Sequence, residues 1–250
     1  MNMKKKFALA PIVAALMAFG SPAQAVPALQ LDIAGGTYDT ATQTIMASGN
    51  SFSLYAYGLT GAVSGNYYIS MALLPATSSA GNFGSFTING TTITATSGMT
   101  YGTAPIETLA LQGFDSGDLP THSIFPTYFA EKQFTFSGTQ SAIYNTQDNA
   151  GSGPISGTGM YYKKFDFDIS NLAMGYGLHF DLYNETISVC GKAKNCTSGD
   201  VDVKNFAPFS HDAQGMVTTP IPEPETYAML LAGLGLMGFV ARRRSKREMR

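Results

Sequence analysis

Few residues in this 250-residue chain have types that could do chemistry: three histidines, two cysteines and three close pairs of aspartates. His122 follows Leu119-Pro120-Thr121 in an expected loop. His179 sits in the alternating run Leu178-His179-Phe180-Asp181-Leu182, and His211-Asp212 falls in an expected loop after Pro208. Brought together, these groups would make a zinc site or a His/Asp base. Kept apart, each makes only a local hydrogen bond. His179 points to the opposite face from Phe180, so it need not be buried. The aspartate pairs Asp115/Asp118, Asp166/Asp168 and Asp200/Asp202 offer carboxylate oxygens of the kind Ca²⁺ favours, with Asp115, Asp118, Asp200 and Asp202 as the metal candidates. None matches an EF-hand loop, and the alternation of Asp166 and Asp168 with Phe165 and Phe167 equally describes a solvated strand face. No Gly-x-Ser-x-Gly elbow, His-Glu-x-x-His, Walker loop or dinucleotide fingerprint occurs, so no catalytic residue is assigned. Tyr55, Tyr57, Tyr67, Tyr68, Tyr161 and Tyr162 offer a face for stacking sugars or filler for a core. The absence of Trp weakens the sugar reading.

These groups must be positioned by strands. Only 13% of residues are charged, against 27 Gly and 12 Pro. That composition argues against a coiled coil or charge-rich disorder and for a turn-rich β protein. Period-two alternation marks Ala28–Ile33, Thr44–Ala47 and Phe52–Tyr57 as strands, with a turn at Asp39–Gln43. Tyr67–Leu74 is mostly apolar and reads as a central strand buried on both faces, ended by Pro75. Phe86–Ile88 and Thr92–Thr96 flank Asn89-Gly90, a hairpin turn. Tyr128–Phe136, Met160–Ile169 and Leu178–Tyr183 continue the pattern, and Gly151–Pro154 reads as an exposed loop. The expected fold is all-β, a jelly-roll-like β-sandwich over residues 26–219.

Nine of the 15 Lys and Arg residues lie at the two ends, which leaves an acidic middle. Such a domain is a poor partner for nucleic acid. Residues 1–25 read as a signal peptide: Lys4–Lys6, an apolar stretch Phe7–Phe19, and the small-x-small site Ala23-Gln24-Ala25 before Val26. The alternative is an uncleaved anchor. In an exported chain, Cys190 and Cys196 are most simply a disulfide, which would contribute about 2.4 kcal/mol by closing a short loop. A metal site would need further ligands nearby, and a catalytic cysteine would need a histidine base.

Residues 220–250 begin with Pro220, Pro222 and Pro224, which hold the chain extended. An uncharged run follows, expected as a transmembrane helix over about 226–241. Arg242, Arg243 and Arg244 then stop transfer on the cytoplasmic side. As a helix the run would reach about 24 Å, so a bilayer would have to thin around it.

From Pro222 to Arg244 the tail resembles the PEP-CTERM sorting signal. The resemblance implies that Pro222, Glu223 and Pro224 are recognised by an exosortase, a membrane-embedded cysteine protease or transpeptidase. It also implies a Gram-negative, exopolysaccharide-making host, an inner-membrane intermediate, and a final place at the cell surface or in the extracellular matrix. Five stretches of the middle (Pro27–Ile33, Phe125–Glu131, Gly157–Tyr162, Leu178–Tyr183 and Asp202–Ala213) resemble the "choice-of-anchor N" group of exported proteins, which brings no assigned activity. The expected function is a non-catalytic structural or adhesive protein linked to exopolysaccharide or biofilm, without an obligatory cofactor. The alternatives are a glycan-active hydrolase or lyase and a calcium-dependent adhesion module.

Overall fold

The computed structural model describes residues 26–104, 124–184, 187–188, 200–201, 207–208, 211–217, 229 and 231–237. The described residues form fifteen strands: β1 (Leu29–Ile33), β2 (Thr37–Asp39), β3 (Thr44–Met46), β4 (Ser51–Leu59), β5 (Tyr67–Leu74), β6 (Ser85–Ile88), β7 (Thr91–Thr94), β8 (Thr100–Gly102), β9 (Thr127–Phe134), β10 (Gln140–Ala142), β11 (Gly159–Asp168), β12 (Gly177–Tyr183), β13 (Ile187–Ser188), β14 (Asp200–Val201) and β15 (Asp212–Met216). The domain is all-β, as its composition implies. One sheet has the order β1-β4-β11-β6-β7 with β10 also on β11, the other the order β2-β3-β15-β12-β5-β9-β8. A separate pair joins β13 to β14. Every pairing is antiparallel except β3 with β15.

The two main sheets share one core, because their apolar alternation faces inward. Leu29, Leu31 and Ile33 of β1, Leu54 of β4 and Phe165 and Phe167 of β11 come from the first sheet. Ile69, Met71 and Leu73 of β5 and Leu178, Phe180 and Leu182 of β12 come from the second. Rings bridge the layers: Phe167 and Phe180 lie 4.7 Å apart, Phe134 and Phe165 5.2 Å apart. Such ring pairs add to the area they bury.

Strand pairing corrects the jelly-roll expectation. A jelly roll folds one long ribbon, so its strand pairs nest. Here consecutive strands β4 and β5 lie in opposite sheets, and so do β11 and β12. β4 pairs β11 while β5 pairs β12, so the two pairs interleave. The expected hairpin is present: β6 and β7 join at Asn89 and Gly90, both at positive φ.

Two loops are also corrected. β1 is buried on both faces, including Gln30 and Asp32, because residues 143–155 fold over the outer face of its sheet. The run Gly151–Pro154 therefore is not a free loop, and Gly153 is buried. Asp212 begins β15 rather than lying in a loop, inserted between β12 and β3. Near the C-terminus, residues 231–237 are helical, with Leu231, Leu234, Leu236 and Met237 exposed. Among the described residues no helix is long and apolar enough to cross a membrane, so the expected span over about 226–241 gains no support.

Candidate functional site

The outer face of the second sheet gathers the ionisable residues. On β12, Leu178, Phe180 and Leu182 face the core, so His179, Asp181 and Tyr183 face outward. β5 lies on one side and places Ser70 directly opposite Asp181. β15 lies on the other, with Phe180 opposite Ala213, so the next step of the register sets Asp212 beside Asp181.

Outward here does not mean exposed. His179, Asp181 and Asp212 are 2%, 7% and 1% accessible. Close to them on the same face, Tyr183, Phe129 and Ala72 pack against Ala104, Ile124 and Phe125. His179 is thus buried, a point its alternation left open. Alternation assigns a side chain to a face but does not say what covers that face.

His179 Nε2 lies 3.3 Å from Asp181 Oδ1 and 3.7 Å from Asp212 Oδ2. Ser70 Oγ donates to the other Asp181 oxygen, Oδ2, at 2.7 Å. Next to this group, the Tyr183 hydroxyl donates to the Glu131 carboxylate. Burial opposes charge on His179, but the carboxylates of Asp181 and Asp212 outweigh it and push the imidazole up to about 10. Burial pushes Asp212 well above the usual carboxylate range.

His211 is adjacent in sequence but serves elsewhere. Its Nε2–H donates to Asn145 Oδ1 at 2.8 Å, and burial pushes the ring down to about 4. It stays neutral and ties β15 to the 143–155 segment. His179 and Asp212 are therefore brought together, whereas His211 is not part of the cluster.

The outer face of the first sheet carries tyrosines. Tyr55 and Tyr57 of β4 and Tyr162 of β11 share it, with ring centroids about 6 Å apart, and Tyr144 packs on Tyr57 edge-on at 4.9 Å. Tyr57 and Tyr144 are buried, while Tyr55 and Tyr162 are half-buried. Lys164 and Asp166 continue the face as an exposed ion pair, with Ser53 donating to Asp166. Asp168 accepts the Ser170 amide. These aspartates read as a solvated strand face. Tyr67 fills the core against Phe134 and Phe136, and Tyr68 stacks on Tyr183 on the far side of the sheet.

Several expected residues lie outside the described residues: His122, Asp115, Asp118, Asp202, Cys190, Cys196, the leader at Ala23 and Ala25, the Pro222-Glu223-Pro224 triplet and Arg242–Arg244. Val26 and the backbone of Asp200 are described. No disulfide is seen among the described residues.

Residues 220–244 match the PEP-CTERM protein-sorting motif. That match supports an exported protein, membrane-associated before sorting and processed by an exosortase. No curated protein matches the chain. No solved structure matches it either. The choice-of-anchor N resemblance finds no support in these comparisons.

Proposed function

We propose that this chain is a non-catalytic surface or extracellular-matrix protein of a Gram-negative bacterium, with a structural or adhesive role alongside exopolysaccharide in a biofilm. The observation that carries the reading is the sorting motif at 220–244, joined to an all-β domain whose one convergent ionisable cluster among the described residues is closed to large substrates. A hydrolase acting on a polymer needs its acid and base in a cleft the chain can enter. His179, Asp181 and Asp212 are too deeply buried for that. Tyr55 and Tyr162, half-buried beside the polar pair Lys164 and Asp166, are the aromatic surface a glycan would meet.

In this reading the leader is cut after Ala25 and the tail inserts around 226–241. Arg242–Arg244 remain cytoplasmic, and exosortase cuts near Pro222-Glu223-Pro224. Intact mass of the membrane and surface forms tests this. A surface form that starts at Val26 and ends near the triplet supports it. A form that still ends at Arg250 removes the sorting step and leaves a tethered protein. Pro222→Ala with Pro224→Ala should leave the uncut form in the membrane.

A further inference from the structure

We propose that His179, Asp181 and Asp212 form a buried structural site for a divalent transition-metal ion, zinc above all. One nitrogen and two carboxylate oxygens are mixed donors that suit Zn²⁺. These three atoms lie within 4.8 Å of one another, and the two nitrogen–oxygen separations are 3.3 and 3.7 Å. An ion bonded at about 2.0–2.2 Å in tetrahedral array holds neighbouring donors about 3.4 Å apart. The two edges from His179 are already near that length, and an ion would draw the two carboxylates together around it.

Charge and orientation agree with this. With His179 neutral and both carboxylates ionised, as ligation requires, the cluster supplies two negative charges that a divalent cation cancels away from water, and binding releases the protons held there. Ser70 Oγ holds Asp181 by Oδ2 and turns Oδ1 toward His179, as an outer hydrogen bond turns a metal-binding carboxylate. Calcium is a poor fit, since it takes six to eight oxygen ligands and no imidazole. None of its three ligands is among the expected calcium candidates Asp115, Asp118, Asp200 and Asp202.

The ligands come from adjacent strands, β12 and β15. β15 is the last described strand before the motif that begins at residue 220. The ion would fasten that strand to β12.

The test uses the full chain, stripped with EDTA and checked for folding by circular dichroism. Zn²⁺ should then bind at one per chain, and the melting midpoint should rise by about 5–10 °C when free Zn²⁺ is a hundred times Kd. Co²⁺ in its place should give the intense visible bands of a tetrahedral nitrogen–oxygen site. Asp212→Asn and His179→Gln should each weaken Zn²⁺ binding at least a hundredfold, whereas Cys190→Ser with Cys196→Ser should leave it unchanged. A stripped wild-type chain that is folded yet takes up neither Zn²⁺ nor Co²⁺ below about 100 µM overturns the proposal. So does a folded His179→Gln chain that binds as tightly as wild type. The wild-type cobalt spectrum decides the matter even where a variant does not fold.

Discussion

The carboxylate of Asp32 receives the backbone amide of Gly153, 121 residues away, at 3.0 Å on one oxygen and that of Gly151 at 2.8 Å on the other. Beside it, Gln30 accepts the Thr146 amide at 2.9 Å and donates to the Tyr144 carbonyl. The polar face of β1 is therefore a two-residue clamp that holds residues 143–155 on the first sheet. Asp32→Ala should strand the buried amide of Gly153 and the part-buried amide of Gly151. At about 1–3 kcal/mol per lost partner, the expected loss is about 3 kcal/mol, read by urea denaturation. Limited proteolysis should show new cleavage within 143–155 before the domain as a whole unfolds.

Gly151 tests the same contact from the other side. Its φ is +78°, and a Cβ there would stand 2.3 Å from the Gly36 carbonyl oxygen, a backbone atom. Gly138 has nearly the same φ, +79°, with nothing within 4 Å. Gly138→Ala should cost only the backbone penalty of about 1–2 kcal/mol. Gly151→Ala should cost distinctly more, and the difference in melting midpoint between the two variants measures the closeness of the loop to the turn between β1 and β2.

Phe180 sits at the centre of the shared core, 4.7 Å from the ring of Phe167 and 5.9 Å from that of Phe52, both in the opposite sheet. Phe180→Ala should cost about 3–5 kcal/mol through lost burial and the cavity left behind. Chemical denaturation should show an earlier midpoint with an unchanged slope.

Tyr57 and Tyr144 set the alkaline limit. Burial pushes both hydroxyls far above the usual tyrosine value of about 10. An acid raised in the folded state contributes stability that is fully present below its unfolded pKa and is lost as pH rises beyond it. Above about pH 10 each should lower stability by about 1.4 kcal/mol per pH unit. Tyrosinate absorbance should show these two ionising only together with unfolding. Smooth ionisation of all tyrosines in the folded protein would refute their burial.

Loss of Tyr55 or Tyr162 should cost only about 1–2 kcal/mol, less than loss of a fully buried ring, since both are half-buried. Alanine at either position should weaken co-sedimentation with exopolysaccharide several-fold if the tyrosine face meets glycan.

Some of this architecture was legible from local signals. Asn89-Gly90 announces its hairpin, and the mostly apolar run Tyr67–Leu74 announces a strand with neighbours on both sides, here β12 and β9. What was hidden depends on distant chain. Gln30 and Asp32 look like a wet strand face until residues 143–155 are laid over them. His179 and Asp181 look equally wet for the same reason. Asp212 reads as loop because Asp212–Met216 is short, with a Gly and an Ala among its five residues, and becomes a strand only between β12 and β3. Two polar residues on an otherwise apolar strand were the available clue to the cluster.

The parallel pairing of β3 with β15 has a kinetic meaning. Thr44–Met46 cannot finish its edge of the sheet until Asp212–Met216 has arrived, and the interleaved pairs β4–β11 and β5–β12 each wait on more than a hundred residues of later chain. Contacts so distant in sequence slow folding. A domain assembled this way remains a pliable thread until nearly all of it has emerged, which suits a chain that must pass through a narrow translocation channel before it takes shape on the far side.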